Sequence, residues 1–287
     1  MNVVSLFNGM NTGRQALENV GIKVNKYYSS EIKPYAIELT QHHFPDTIQL
    51  GDVTKWKEWD IDWQTIDLVL SGSPCQDLSS VGKRAGINGS KSNLFFVFVE
   101  ILNHIKTLNP NVLFLQENVG SALKLDVGIM SRALGVYPCR INSKLLTAQL
   151  RDRYYWSNIK TKETMFDLVT DIPQPKDLGI MFKNIVTSGR VNRKKSQCLL
   201  AGLFNSFCYK DEKSKEAQHY LINKEKFGVL LIYEKDYIRT VNKIEMCRLQ
   251  GFPDDYCDTI TKKQAGSLLG DGWTLPIIEH IFSYIKR

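Results

Sequence analysis

The feature of this sequence that most limits its fold is the alternation of strand-like and helix-like segments along its first half. Runs rich in β-branched and aromatic residues occur at 3–7, 24–29, 47–50, 67–70 and 112–116. Segments with helical spacing of apolar residues separate them, at 12–20, 33–43 and 92–107. A helix between two strands returns the chain to the starting edge of the sheet, so the strands run parallel. Two further runs, 139–146 and 154–159, predict a hairpin that closes the sheet, and the whole predicts an α/β fold with helices on both faces.

This alternation stops near residue 167. Up to about residue 238, short apolar pieces alternate with lysine-rich loops, which is typical of a small mixed lobe rather than of a further βα unit. Helical spacing returns at 241–249, 262–269 and 275–285. We therefore predict one domain formed by 1–166 and 239–287, and a second domain formed by the inserted lobe 167–238.

Basic residues are concentrated in one part of the chain. Between Lys183 and Lys243 there are 13 Lys and Arg against 6 Asp and Glu, an excess equal to the net charge of +7 of all 287 residues. The rest of the chain is therefore neutral overall. A basic segment on a neutral body favours a polyanionic partner, nucleic acid before membrane, although a lysine-rich solvated surface explains the charge alone equally well.

Other classes of protein are disfavoured by features that the sequence lacks. No apolar run reaches the roughly 18 residues that a membrane-spanning helix needs. The opening residues MNVVSLFNGM carry no basic region of a signal peptide, so we expect a cytoplasmic protein without membrane contact. The six cysteines and five histidines show none of the spacings of a zinc site, so no metal is predicted.

Three predicted strand ends carry residues that suit a nucleoside. The segment FNGMNTG at 7–13 joins the first strand to the first helix, where glycine allows close approach of a ligand and the helix N-terminus offers free N–H groups. Glu31 ends the second strand and can accept hydrogen bonds from ribose hydroxyls, while Asp52 after the third can accept one from an adenine amine. Together these ends predict a nucleoside cleft; for 7–13 alone, a glycine turn needed only for packing is the alternative.

Cys75 follows the fourth predicted strand, in the loop SGSPCQD at 71–77. The carboxyl ends of strands are where α/β enzymes hold their active sites. A thiol must ionise to act as a nucleophile, and Lys83 and Arg84 in the following loop are candidates for the positive charge that favours the thiolate. Taken alone, a structural loop cysteine is the alternative explanation.

Two further segments carry candidate site residues. In ENV at 117–119, Glu117 ends the fifth strand and is a candidate acid, a solvated carboxylate, or the cap of a helix that begins near Ser121. In QLRDR at 149–153, an extended conformation would place Gln149, Arg151 and Arg153 on one face, because side chains alternate along a strand. With no acid beside them, these three suit an anionic or carbonyl-rich ligand, and a solvated strand face is the alternative.

These four segments, with two more near the C-terminus, resemble the C5-cytosine DNA methyltransferase family in content and order. The motifs are FNGMNTG at 7–13, SPCQ at 73–76, ENV at 117–119, QLRDR at 149–153, Arg239 and Glu245 with RLQGFP at 248–253, and GDGW at 270–273 with Pro276. In detail they resemble the animal de novo branch, but the length predicts a compact bacterial or phage enzyme. Asn8 and Asp271 depart from the residues usual in the family, and both departures bear on cofactor affinity.

The resemblance implies a Rossmann-like S-adenosylmethionine-dependent methyltransferase sheet, with the lobe 167–238 as target-recognition lobe and double-stranded DNA as partner. The residues implied for S-adenosylmethionine are Phe7, Asn8, Gly9, Thr12, Gly13, Glu31, Ile32, Asp52, Val53, Pro74 and Trp273. Those implied for DNA are Ser79, Lys83, Arg84 and Lys91 in the loop 79–93, and Arg190, Arg193, Lys194 and Lys195 in the lobe. We assume a monomer without a metal.

The family's chemistry implies a role for each catalytic residue. Cys75 would attack C6 of a cytosine flipped out of the duplex. Glu117 would hydrogen-bond N3 and the 4-amino group, and it would stabilise or supply the proton that accompanies addition. Arg153 would contact the base O2, and Arg151 would support the site. Two alternatives stay open: the family's tRNA-methylating branch, whose Cys-Phe-Thr stretch this sequence lacks, and a DNA-binding protein that has lost catalysis.

Overall fold

The first half of the chain forms a single sheet. The structure, a computed structural model, describes residues 1–74, 93–200, 213–224 and 229–286. The sheet strands are β1 Asn2–Leu6, β2 Lys26–Ser30, β3 Ile48–Gln49, β4 Leu68–Ser71, β5 Leu113–Val119, β6 Cys139–Asn142 and β7 Asp152–Ser157. Their order is β3-β2-β1-β4-β5-β7-β6; β1 to β5 pair in parallel and β7 pairs antiparallel with β5. The predicted α/β fold, with β6 and β7 closing the sheet, is confirmed.

Helices cover both faces of this sheet, because neighbouring residues of a strand point to opposite sides. The helices are α1 Thr12–Asn19, α2 Pro34–His43, α3 Leu94–Leu108 and α4 Lys124–Leu134. Val4 of β1 belongs to a buried apolar cluster with Phe95 and Phe98 of α3. Val3 pairs in register with Tyr27 of β2 on the opposite face, where a Cβ on Gly13 of α1 would lie 3.0 Å from the Tyr27 hydroxyl.

The strand predicted over 139–146 ends early because one of its side chains caps a turn. The side-chain oxygen of Asn142 accepts a hydrogen bond from the backbone N–H of Lys144 at 3.0 Å, which caps a short 3-10 turn over Ser143–Leu145. Asn and Asp favour such caps because their short polar side chains satisfy backbone N–H groups locally. The β6 strand therefore ends at Asn142.

The remaining elements are short. They are β8 Thr161–Glu163, β9 Leu168–Thr170, α5 Lys215–Lys224, β10 Leu231–Tyr233, β11 Ile238–Thr240, α6 Lys243–Gln250, α7 Lys262–Asp271 and α8 Leu275–Phe282. Helix α6 begins with a capping box between Asn242 and Glu245, and it ends at Gly251, whose φ of 80° is left-handed. These signals at both ends explain why the helix predicted over 241–249 instead begins at Lys243 and ends at Gln250.

The chain divides into two compact units. The first comprises Met1–Ile141, Asp152–Gln174 and Ile278–Arg287, and the second comprises Asn142–Arg151 and Pro175–Ile277. These units are defined by geometry, so the assignment of a catalytic domain and a target-recognition lobe with the predicted boundaries stays a prediction. In the ranges given above, no helix is long and apolar enough to cross a membrane. The same residues contain no group of three or more His, Cys, Asp or Glu side chains suited to a metal ion.

Candidate active site

The loop between β1 and α1 has an unusual backbone. Phe7, Gly9 and Asn11 have φ angles of 56°, 59° and 64°, which are left-handed. Glycine adopts such angles readily and asparagine more often than other residues, so it is Phe7 that the surrounding structure must hold in place. The N–H of Asn8 donates to the carbonyl of Ser30 at 3.1 Å, which ties the loop to the end of β2. The loop therefore has a defined shape beside the strand ends.

Glycine at position 13 is explained by packing. A Cβ there would lie 2.4 Å from Cδ1 of Leu70 and 3.0 Å from the Tyr27 hydroxyl, so only glycine lets α1 approach the sheet this closely. The Tyr27 side chain is fully buried, and burial raises the pKa of its hydroxyl well above the usual range. Packing, the alternative explanation for a glycine in this segment, therefore accounts for Gly13. Gly9 is explained instead by its own left-handed backbone angle.

The two acidic residues predicted for a nucleoside lie at neighbouring strand ends, after β2 and β3 respectively. Glu31 accepts hydrogen bonds from the backbone N–H groups of Gly9 at 2.8 Å and Lys33 at 2.9 Å. Asp52 accepts from the backbone N–H and the hydroxyl of Thr54, both at 2.9 Å, and these bonds hold the pKa of its carboxyl below the usual value. Asp52 is exposed, so its carboxylate is both ionised at neutral pH and accessible.

Apolar surface lies beside these carboxylates. Ile32, which follows Glu31, is 70% exposed. Val53, which follows Asp52, is buried, as is Thr12 at the start of α1.

Trp273 belongs to the second unit and is half-buried. Asn8 accepts a hydrogen bond from the Tyr27 hydroxyl at 3.3 Å through its side-chain oxygen.

The segment that leads to Cys75 lies beside the ENV motif. Strands β4 and β5 pair in parallel with Ser71 opposite Gln116, so their carboxyl ends adjoin. The hydroxyl of Ser73 accepts hydrogen bonds from the side-chain amides of Gln116 at 2.9 Å and Asn118 at 3.4 Å. Ser73 and Gln116 were not among the predicted site residues, although a glutamine inside the apolar strand LFLQENV is a visible signal. Pro74 is the last residue described before a gap.

Five predicted site residues lie outside the described ranges. They are Cys75, Ser79, Lys83, Arg84 and Lys91.

Glu117 forms an ion pair with Arg153. The two residues come from the antiparallel strands β5 and β7, and Nε of Arg153 lies 2.7 Å from Oε1 of Glu117. Their side chains are only 10% and 14% exposed, so the pair is largely desolvated. The idea that Glu117 caps a helix near Ser121 is wrong, because α4 begins at Lys124 and Glu117 lies within β5.

The prediction that Gln149, Arg151 and Arg153 share one strand face without neighbouring acids is wrong. Strand β7 begins at Asp152, and Gln149 forms only an isolated bridge. Extended pairing is broken at 143–151, so the alternation of side chains does not apply there. Arg153 has Glu117 as its acid.

Gln149 and Arg151 instead make contacts within the second unit. The side-chain amide of Gln149 donates to the carbonyl of Leu249 at 3.2 Å. Arg151 is 2% exposed and donates to the carbonyls of Gly270 at 3.1 Å and Gly272 at 2.7 Å. The last of the six motifs, GDGW, is thus held by an arginine of the fourth, QLRDR. The predicted catalytic role of Arg151 stays a prediction.

The four basic residues of the lobe that are predicted to contact DNA differ in their surroundings. Arg190 and Lys194 are exposed, and Arg193 is half-buried. Lys195 is different: its ammonium group donates to the carbonyls of Lys144 at 2.6 Å, Thr147 at 3.0 Å and Ile180 at 2.6 Å. Burial lowers the pKa of this ammonium group, and all three of its hydrogens are engaged.

Residues 1–134 and 149–287 match the family described as C-5 cytosine-specific DNA methylase. The type II methyltransferase M.NlaIV of Neisseria lactamica is 30% identical over 211 residues, which are 65% of this chain and 46% of that protein. The orphan methyltransferase M.SPRI of Bacillus phage SPR is 33% identical over 175 residues, 56% of this chain and 38% of that protein. The chain thus spans less than half the length of these two relatives.

A longer match joins the chain to M1.ScrFI, a type II methyltransferase of Lactococcus lactis subsp. cremoris, at 26% identity over 97% of this chain and 76% of that protein. Among solved structures, a mutant DNMT2 of Spodoptera frugiperda superposes with a TM-score of 0.63 at 18% identity, covering 99% of both chains. The methyltransferase EhMeth of Entamoeba histolytica gives 0.65 at 16% identity, covering 99% of this chain and 97% of the other. At these identities the structures support the fold alone.

Proposed function

Because the chain belongs to the C-5 cytosine-specific DNA methylase family, we propose that it transfers a methyl group from S-adenosylmethionine to C5 of a cytosine in duplex DNA. The observation that carries the proposal is the largely desolvated ion pair of Glu117 and Arg153 at a strand end. The adjoining strand end leads through Ser73 and Pro74 to Cys75. An acid, an arginine and a cysteine are the groups that addition to a cytosine ring requires.

The strand ends of β1, β2 and β3 fit S-adenosylmethionine. Exposed Asp52 can accept a hydrogen bond from an amine, and Glu31 has acceptor capacity left for hydroxyl groups. The exposed side chain of Ile32 offers apolar surface to a purine ring. The residues proposed to hold the cofactor are Phe7, Asn8, Gly9, Thr12, Gly13, Glu31, Ile32, Asp52, Val53, Pro74 and Trp273. When bound, S-adenosylmethionine supplies a methyl group made electrophilic by its sulfonium.

In the proposed reaction, the Cys75 thiolate attacks C6 of cytosine and forms a carbon–sulfur bond. Glu117 hydrogen-bonds N3 and the 4-amino group and stabilises the proton that N3 takes up as the ring gains electrons. Arg153 orients Glu117 through their ion pair and contacts the base O2, and Arg151 supports the site. After C5 has gained the methyl group, it loses its proton to a base, the bond to Cys75 breaks, and 5-methylcytosine is released.

A cysteine cannot reach C6 inside a stacked duplex, so the target base must be flipped out at a cost of a few kcal/mol. Contacts to the DNA backbone offset this cost. We assign phosphate contacts to Arg190, Arg193 and Lys194, and to the loop residues Ser79, Lys83, Arg84 and Lys91. We leave Lys195 out of this interface because its ammonium group is engaged by three carbonyls.

A transfer assay tests the proposed activity. The protein and a Cys75→Ala variant are incubated with duplex DNA of varied sequence and methyl-labelled S-adenosylmethionine. We expect label on cytosine with the unaltered protein and none with the variant. Cys139→Ala is the matched control: burial raises the pKa of the Cys139 thiol to about 12, so that thiol is protonated at neutral pH and its loss leaves transfer intact.

The outcome also separates the alternatives. No label on cytosine in any duplex refutes the DNA methyltransferase proposal. Label on tRNA but not on duplex DNA identifies the tRNA-methylating alternative, and binding of DNA without transfer identifies the catalytically inactive alternative. Bisulfite sequencing of DNA from cells that express the protein then gives the target sequence.

Salt dependence tests the proposed phosphate contacts. Each phosphate contact adds about one to the slope of the logarithm of DNA affinity against the logarithm of salt concentration. Replacing Arg193 and Lys194 together by alanine is expected to lower that slope by about two. The control is Lys162→Ala, which removes an exposed lysine from the first unit and leaves the slope unchanged. An unchanged slope in the double variant excludes the two residues from the interface.

A further inference from the structure

Gln116 connects the two chain segments that the proposed function assigns to catalysis. Its side chain is fully buried within β5. The Nε2 group donates to the Ser73 hydroxyl at 2.9 Å and to the backbone carbonyl of Glu117 at 2.7 Å. One amide group therefore contacts both the residue two places before Cys75 and the backbone of the proposed acid.

This contact lies where regular sheet pairing ends. Strand β4 ends at Ser71, opposite Gln116, so Ser73 has passed beyond the ladder that aligns the two strands. The described interactions of Ser73 with β5 are then side-chain bonds, from Gln116 at 2.9 Å and from Asn118 at 3.4 Å. The shorter bond has the better geometry, because N–H···O bonds have their most common length near 2.9 to 3.0 Å. Ser73 is 4% exposed, so water does not compete for its hydroxyl.

We propose that Gln116 is a positioning residue for the reaction: its bond to Ser73 fixes the start of the Pro74–Cys75 segment relative to Glu117. The inference rests on the proposed function, because it assigns Cys75 and Glu117 to the same cytosine ring. Errors of about an ångström in the placement of reacting groups reduce rates by large factors, so a buried anchor two residues before the nucleophile in the chain affects the rate of bond formation. Gln116 is fully buried, so in this proposal it acts through Ser73 and the backbone of Glu117 rather than on the base itself.

The test uses the full chain and a duplex with 5-fluorocytosine at the target. Addition of Cys75 to C6 and methyl transfer to C5 still occur on this base, but the fluorine cannot leave as the proton does. The carbon–sulfur bond therefore persists, and the rate at which the covalent adduct forms reports on bond formation. Gln116→Met keeps the size of the side chain without the donor, and Ser73→Ala removes the acceptor.

Each single variant is expected to form adduct roughly tenfold more slowly, the effect of about 1.4 kcal/mol in the barrier. The double variant is expected to lose the same factor rather than a hundredfold, because both changes remove one bond. The dissociation constant of S-adenosylmethionine should stay unchanged. Ser157→Ala is the matched control: it removes a buried hydroxyl that donates to the carbonyl of Phe114 at 2.6 Å, and it should leave the adduct rate unchanged.

The outcomes separate the inference from the function on which it rests. If the unaltered protein forms no adduct and transfers no methyl group, the proposed function fails, and the role of Gln116 fails with it. If the unaltered protein is active and Gln116→Met forms adduct within twofold of its rate, only the positioning role is overturned. An equal loss of rate in Ser157→Ala, or a hundredfold loss in the double variant, also overturns that role, since either shows a general effect on the sheet.

Discussion

Among the described residues of the second unit, Glu245 is the carboxylate that accepts the most hydrogen bonds, and its removal tests what holds that unit together. It is fully buried and accepts from both terminal nitrogens of Arg239 at 2.8 Å. It also accepts from the backbone N–H of Thr187 at 2.8 Å and that of Asn242 at 2.9 Å. Glu245→Ala removes these acceptors together and leaves the Arg239 guanidinium buried with Glu234 as its remaining carboxylate partner among the described residues.

The size of the expected loss in the free energy of unfolding follows from the burial of the Glu245–Arg239 pair. Breaking a buried ion pair by removing one partner costs about 3–5 kcal/mol, because the remaining charge stays desolvated. The matched control is Asp254→Ala, which breaks the Arg248–Asp254 pair at 2.6 Å in the same unit. Those side chains are 35% and 50% exposed, so water takes over the lost contact, and the expected cost is about 0–1 kcal/mol.

Urea unfolding followed by circular dichroism measures both variants. We expect the free energy of unfolding to fall by several kcal/mol in Glu245→Ala and hardly at all in Asp254→Ala. Equal losses in the two variants would refute the argument, since the pairs have similar lengths and differ chiefly in exposure.

The Glu245–Arg239 pair also predicts that the stability of the protein depends on pH. Burial opposes ionisation of Glu245, but hydrogen bonds from Arg239, Thr187 and Asn242 outweigh it and hold the pKa of Glu245 below its usual value. A carboxyl whose folded pKa is depressed contributes its stability above the unfolded pKa of about 4.3 and loses it as pH falls through the folded value. Acidification should therefore lower the stability of the unaltered protein more than that of Glu245→Ala; parallel decreases would contradict this account.

Three further substitutions have defined expectations. Gly120→Ala would place a Cβ 2.8 Å from the carbonyl oxygen of Asp152, so we expect β7 to be displaced and methyl transfer to fall at least tenfold in the labelled-methyl assay; unchanged transfer would contradict this. Lys195→Met leaves buried carbonyls without a donor and should cost about 1–3 kcal/mol in urea unfolding, with the salt slope of DNA binding unchanged. Gly251→Ala places a Cβ 2.3 Å from Cδ of Pro276 at a φ of 80°, so its melting temperature should fall by several degrees, and a fall of less than one degree would contradict the clash.

The sequence by itself determined the elements and their order. Periodicities of two and 3.6 residues are local properties, so strands β1 to β5 and helices α1 to α3 could be located within a few residues of their observed bounds. The parallel arrangement followed because crossover helices leave no other short connection. The family was also determined, since six motifs in fixed order require no knowledge of contacts.

What the sequence could not decide was how side chains are used. Gln149, Arg151 and Arg153 look equivalent in a linear alternation, yet 143–151 leaves the extended conformation. Lys194 and Lys195 are adjacent in a basic run, but the first is exposed and the second is engaged by three carbonyls. Charge is a property of the residue, whereas its availability to a ligand depends on its neighbours in space.

The candidate site shows the same division. The residue types at the strand ends, among them Glu31, Asp52 and Glu117, were evident because parallel strands bring their carboxyl ends to one edge. The pairing of Glu117 with Arg153 and of Gln116 with Ser73 was decided by tertiary structure alone. Hydrogen bonds and ion pairs act over about 3 Å, and only the packed sheet brings residues 36 or 43 positions apart in the chain to that distance.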